Sequence, residues 1–280
     1  MPSTAPPPTS PARPACRATA PLALWLLAAS ALAGAACASA PAPEPPPPQP
    51  ASTPLSAADA AALVDQSIDL ALAGDAVGAH AAAREAYHRD RHGLATQLAW
   101  VEALLGLGRR SEALRAAEAA VADHPEAPEA HYALGRVYWA LVRRNEALAS
   151  FETALHFRPD DLPALIALLA VHSQREDADD EIAELEALLR ERAPADPYVL
   201  HNLAVNAEAR GEDEAAVALY RAAVASAPRL PMTHYNLAQL LERLHGLDAA
   251  RADYEAFLAE AEPGHARWVE AVKKRLEQKR

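Results

Sequence analysis

One set of spacings returns about every 34 residues along most of this 280-residue chain, and it restricts the fold more than any other feature. The clearest copy runs from Pro128 to Asp161 and reads His131-x2-Leu134-Gly135-x2-Tyr138, then Ala147-x3-Phe151-x2-Ala154, then Pro159. Leu200, Leu203, Ala204, Gly211, Ala216, Tyr220, Ala223 and Pro228 form a second strong copy. His234, Leu237, Ala238, Ala250, Tyr254 and Phe257 form a third, one period later. One period before the clear unit lie Leu104, Gly108, Ala113, Ala117, Ala120 and Pro125, and before those, more weakly, Leu63, Leu70, Gly74, Ala79 and Ala86. The stretch 162–196 keeps Leu165, Leu168, Ile182, Leu185, Leu188 and Pro194 but has Leu169 and Glu181 where small residues are usual, and its step to the next unit adds one loop residue. A unit of this length cannot bury its own apolar face, so the copies must stack against one another.

Within each copy the apolar positions recur at three and four residues, which makes one apolar face per helix. Gly74, Gly108, Gly211 and Gly246 fall near the unit midpoints, where a first helix stops and a second begins. The small Gly135, Ala204 and Ala238 let the two helices approach, while Tyr138, Phe151, Tyr220 and Tyr254 fill the space between hairpins. Pro125, Pro159 and Pro228 end the second helices, because proline cannot continue the hydrogen-bond ladder. Ser56-x-x-Asp59 fits a starting cap. Residues 265–280 read as a closing helix with Trp268, Val272 and Leu276 on one face and six basic and two acidic residues on the rest. Composition agrees: 51% apolar residues but only 5% aromatic ones suit closely packed Ala- and Leu-rich helices and suit a sheet poorly.

The spacing resembles the tetratricopeptide repeat (TPR), Trp-x2-Leu-Gly-x2-Tyr…Ala-x3-Phe…Pro, at every position of the clear unit but the first, where His131 stands for Trp. Six units result, 60–93, 94–127, 128–161, 162–196, 197–230 and 231–264, covering about three quarters of the chain. The resemblance implies an all-α fold: a right-handed TPR superhelix, an α-solenoid of about six helix-turn-helix hairpins plus a C-terminal capping helix. It also implies protein binding rather than catalysis, with a concave groove lined by the first helix of each unit. The groove positions of the family fall on Tyr132, Arg136 and Trp139, then Ile166 and Ala170, then His201, Asn202 and Val205, and finally Tyr235, Asn236, Gln239 and Arg243. Asn202 and Asn236 suit the backbone of an extended peptide, since an amide both donates and accepts. Tyr132 and Trp139 offer amphipathic contact area. Binding through the convex face, the loops or an end is the alternative. The two-pronged basic clamp of chaperone-binding members is not matched, because Arg136 and Arg243 lie far apart in the array.

Residues 1–36 stand outside this pattern. Arg13 and Arg17 are the only charges before Glu44, and an uncharged apolar stretch separates Arg17 from Ala33-Gly34-Ala35-Ala36-Cys37. This leader resembles a bacterial lipoprotein signal peptide, which implies cleavage before Cys37 and lipidation of that residue, although Gly34 occupies a position where a branched apolar residue is usual. Only two cysteines occur in the chain, Cys16 and Cys37, so after cleavage one thiol remains and has no disulfide partner. An uncleaved anchor helix and ordinary cleavage without lipid are the other readings. By the same resemblance Ala38 favours the periplasmic face of the outer membrane over the inner one. Residues 38–55 are proline-rich and read as an extended spacer, which fully extended spans at most roughly 55 Å at ~3.1 Å per residue, with a proline-rich ligand for another domain as the alternative.

No catalytic constellation emerges. No His-Glu-x-x-His, cysteine-based metal spacing, Gly-x-Ser-x-Gly elbow or phosphate-cradling loop is present. His88 and His92 read as a solvated helix end, His131 and His234 as packing residues, and the acidic run from Glu176 to Glu181 as a polar loop without the glycine of a calcium-binding loop. No cofactor or metal is expected. Without the leader, 24 basic and 38 acidic residues remain, and that field repels nucleic acid. The expected function is therefore a non-enzymatic, lipid-tethered scaffold that recruits or assembles an envelope complex, with a protein partner in the groove. Its architecture is similar to the TPR lipoproteins that assist type IV pilus secretin assembly. Regulation of cell-wall enzymes, or binding of envelope glycan, is the alternative.

Overall fold

A computed structural model describes residues 57–277 apart from Glu176 and Pro228. The leader, Cys37, the proline-rich stretch, Ser56 of the starting cap and the last three residues of the closing segment lie outside the described residues.

The described residues form helices and no strand. They pair as α1 (Ala57–Leu72) with α2 (Ala76–Arg89), α3 (Leu94–Gly106) with α4 (Arg110–Asp123), and α5 (Pro128–Ala140) with α6 (Arg144–Phe157). There follow α7 (Leu162–His172) with α8 (Asp179–Arg192), α9 (Pro197–Ala209) with α10 (Asp213–Ser226), and α11 (Pro231–His245) with α12 (Leu247–Glu260). A short 3-10 turn, Pro263–His265, leads into α13 (Ala266–Glu277). The all-helical solenoid of six hairpins and a closing helix expected from the repeat is what the described residues form.

Local chemistry sets the boundaries. Prolines stand in the first turn of α5, α7, α9 and α11, where a missing N–H costs nothing. Asp161 and Asp196 cap α7 and α9 by accepting backbone N–H groups. Gly74, Gly108 and Gly211 take positive φ at the hairpin turns, and each following residue donates to a carbonyl one turn back: Asp75 to Leu70, Arg109 to Leu104, Glu212 to Ala207. Val142 adopts the same turn with φ 62°, the only non-glycine residue with positive φ among the described residues.

The core is a set of columns, each formed by the same position of successive units. Ala79, Ala113, Ala147, Ala216 and Ala250 are buried in the second helices, and Phe151, Tyr220 and Phe257 are the largest fully buried side chains. Burying one such aromatic contributes about 1.5–3 kcal/mol. The Tyr220 hydroxyl donates to Glu208 at 3.2 Å, and at the same position of the next unit Tyr254 donates to Glu242 at 2.8 Å. Arg275 of α13 meets the same Glu242 at 2.6 Å, while Trp268 and Val272 close the apolar end.

One column decides how tightly each hairpin closes. It holds Ser67, Val101, Gly135, Leu169, Ala204 and Ala238. Hairpins with Ser, Gly or Ala there pack closest, the one with Val101 less so, and the α7–α8 pair with Leu169 least. A Cβ on Gly135 would stand 2.6 Å from Phe151, so in this hairpin the missing side chain makes room for the phenyl ring. Leu169 is itself buried and Glu181, in place of an alanine, is exposed, so α8 stands off behind a longer turn.

Candidate binding groove

The first helices touch one another directly, α1 with α3, α3 with α5 and α7 with α9. In a curved stack the inner elements lie closest together, so these helices line the concave side. The cavity on this wall occupies about 330 Å³ and is lined by Tyr132, Leu162, Pro163, Ile166, Asp196, Tyr198 and Asn202. It thus spans the N-terminal ends of α5, α7 and α9, and its size is at the lower end of the roughly 300–1,000 Å³ of small-ligand pockets.

Each wall has a local cause. Tyr132 leans on Phe151 with ring centroids 5.7 Å apart, and burial pushes its hydroxyl pKa up. Leu162, Pro163 and Ile166 come from the first turns of α7, which the Asp161 carboxylate caps through the Ala164 N–H at 3.0 Å. Asp196 caps α9 by accepting from the Tyr198 and Val199 N–H groups at 2.9 and 3.0 Å. The Tyr198 ring is half exposed. The Asn202 amide nitrogen donates to the Tyr198 carbonyl at 2.8 Å, and its oxygen is an acceptor.

Of the residues expected in the groove, Tyr132, Ile166 and Asn202 meet in this cavity. Two others lie inside the packing instead. Trp139 is buried against Leu165, Leu169 and Phe151, because the following hairpin lies over it. His201 is 3% exposed, its Nδ1 stands 2.9 Å from the Thr233 hydroxyl, and burial lowers its pKa to about 4. Neither side chain is presented to a ligand. Arg136 is held by Glu102, at the equivalent position of the preceding unit, and its guanidinium lies 5.9 Å from the Tyr132 ring. Burial opposes its charge, but the adjacent Glu102 carboxylate keeps its pKa raised. Val205 packs on the C-terminal core. Further along, Tyr235 is partly buried against Phe257 and accepts from Gln239 at 2.9 Å, and Asn236 reaches the Tyr220 hydroxyl. Arg243 is exposed and bridges Asp213 and Glu208 at 2.9 and 3.2 Å. These last residues do not join the cavity.

The motif positions left out Leu162, Pro163, Asp196 and Tyr198. Their signal was an apolar or aromatic residue beside a capping aspartate at the start of a first helix, which repeat phase alone does not flag. Two further histidines belong to local packing. His131 stacks on Phe157 and bonds the Pro125 carbonyl at 2.7 Å, and His234 meets Asp253 at 2.9 Å. α2 ends at Arg89, so His88 and His92 share no helix, and His92 faces Asp123 at 2.9 Å. No group of three or more His, Cys, Asp or Glu among the described residues is arranged to hold a metal ion.

Known proteins match this architecture. A family model described as tetratricopeptide repeat matches residues 98–161. The fold is a TPR-type solenoid. A thermophilic TPR protein of Thermus thermophilus superposes with TM-score 0.57 at 24% identity, over 64% of this chain and 99% of that one. A TPR protein of Parabacteroides merdae gives 0.52 at 18%, over 77% and 89%. Human IFIT1, solved as a dimer with m7Gppp-AAAA, gives 0.61 at 13%, over 73% of this chain and 51% of that one. At these identities the likeness concerns the fold. No curated protein sequence matches the chain.

Proposed function

We propose that this TPR solenoid is a non-enzymatic scaffold that holds an extended segment of a partner protein on its concave wall. TPR proteins are in general protein-interaction scaffolds, and the observation that carries the reading here is the cavity joining Tyr132, Ile166, Tyr198 and Asn202 from three successive first helices. A trough built across repeats suits an extended chain, because each repeat presents one more contact along a line. Its amide oxygen and two tyrosines supply hydrogen bonds and amphipathic area, the chemistry of peptide recognition.

We place the scaffold at the bacterial envelope, tethered through lipid on Cys37 at the outer membrane and lifted from it by the proline-rich stretch. The leader pattern supports this, as does the single cysteine left after cleavage. Recruitment or assembly of a secretin or pilus complex is the specific role with which the architecture agrees. A glycan binder would need an exposed aromatic platform in the groove, and Trp139, at 7% exposure, does not offer one.

Photo-crosslinking tests the groove. A photoreactive residue at Tyr198 in the full-length chain should give a discrete protein adduct in intact cells, and one at Glu118, exposed on α4, should not. Adducts from position 118 alone would transfer binding to the convex face. Labelling with a palmitate analogue should be lost in Cys37→Ala; persistence would refute the anchor.

A further inference from the structure

The cavity is not neutral in its demands. Its polar groups are the Asp196 carboxylate, the Asn202 amide oxygen and two phenol oxygens, and they are acceptors or acceptor-capable. Asp196 spends part of its capacity on the Tyr198 and Val199 N–H groups, and no ion pair to it is present among the described residues. Two nearby arginines have anions of their own: Arg136 pairs with Glu102, and Arg158 pairs with Glu129 and Asp161. Leu162, Pro163 and Ile166 supply an apolar wall beside these acceptors.

Taken with the groove reading proposed above, on which this rests, we infer that the cavity selects a basic side chain, arginine above all, from the bound segment. The arginine stem lies along Leu162, Pro163 and Ile166, the planar guanidinium stacks on a tyrosine face, and its N–H fork donates to Asp196 and Asn202. Three features converge on that choice. Aromatic faces attract a guanidinium through the ring quadrupole, and arginine combines such stacking with directional donation better than lysine. A carboxylate with unused acceptor capacity at the rim rewards a cation and penalises an acidic residue. The wider field agrees, since residues 57–277 carry 37 acidic and 22 basic side chains, which steers basic segments toward the array. A terminal carboxylate, by contrast, would face Asp196 across the cavity.

The test uses the full-length chain and fluorescein-labelled nine-residue peptides of alanine and serine carrying a single central Arg, Leu or Glu, read by anisotropy. The Arg peptide should bind about tenfold tighter than the Leu peptide, the Glu peptide should bind weakest, and added salt should narrow the gap. Asp196→Asn keeps a residue able to cap α9 while removing the charge, so it should erase the preference, leaving the Arg and Leu peptides within about twofold of each other. Tyr198→Ala, at a half-exposed ring, should weaken the Arg peptide without unfolding the array. Equal or tighter binding of the Leu peptide, with Tyr198→Ala still abolishing it, overturns the cation selection and leaves the groove standing. Binding indifferent to Tyr198→Ala, or no binding of any peptide at millimolar concentration, overturns both.

Discussion

Val142→Gly should stabilise the protein, although it deletes a branched side chain. Val142 occupies the left-handed turn position at φ 62° that Gly74, Gly108 and Gly211 hold in three other hairpins. The bonds are the same: the Val142 N–H donates to Trp139 at 2.9 Å and that of Arg143 to Tyr138 at 2.9 Å, as Gly211 donates to Glu208 at 2.9 Å and Glu212 to Ala207 at 2.9 Å. The left-handed conformation costs a residue with a Cβ about 1–2 kcal/mol, and a β-branched one sits at the upper end. Glycine gives back about 0.4–1 kcal/mol through the freer unfolded chain. Val142 is 66% exposed, so little burial is forfeited. The balance is a gain of about 0.5–1.5 kcal/mol, which at about 1–3 kcal/mol per M should raise the urea midpoint by several tenths of a molar. Gly211→Val is the reciprocal experiment, because a Cβ there meets nothing within 4 Å and only backbone strain is added. Urea titration followed by far-UV circular dichroism measures both. A lower midpoint for Val142→Gly, or an unchanged one for Gly211→Val, would refute the reasoning.

Three further outcomes follow from the packing. Gly135→Ala should destabilise by about 1–3 kcal/mol through the clash with Phe151, and Phe151→Leu should recover part of the loss in a double-mutant cycle; additive effects would deny the contact. Stability should fall as pH drops from 6.5 toward about 4, because above 6.5 the His201 imidazole is neutral in both states and below it only the unfolded chain takes up the proton. That contribution reaches ~3 kcal/mol at most, and denaturation of His201→Gln across the same range should show a shallower slope. Arg210→Ala should cost about 1.5 kcal/mol, since it removes one of the two cations at Glu186, whose side chain is 6% exposed, and leaves Arg190 paired with it. Replacing Glu186 as well with Leu should restore most of that loss, and failure to do so would mean that packing rather than charge held the site.

The fold was legible because local and global signals agree in phase. Glycine at three hairpin turns, proline just beyond the ends of α4 and α6 and alanine at matching positions of second helices each act within a few residues. Leu169 and Glu181 also marked the irregular hairpin correctly: their bulk and charge are incompatible with the close approach that Gly135 and Ala147 allow. Val142 gave no such warning, because a missing glycine in an otherwise regular repeat looks like ordinary variation.

The site was only half legible, for a physical reason. A repeat position fixes the direction of a side chain on its own helix, but exposure depends on how far the next hairpin covers it. Trp139 and His201 hold groove positions by phase and are nonetheless enclosed by α7–α8 and by α11 with α10. Tyr198 and Asp196 hold no motif position, yet the inward packing of α7 on α9 brings them beside Tyr132 and Asn202. The sequence alone determined that the repeats fold as helical hairpins and the order in which they stack, because those follow from the helical period within a unit and the longer period between units. Which side chains meet in the cavity, and that a carboxylate stands at its rim, was decided only by tertiary structure, because curvature brings together groups from three successive units of the chain.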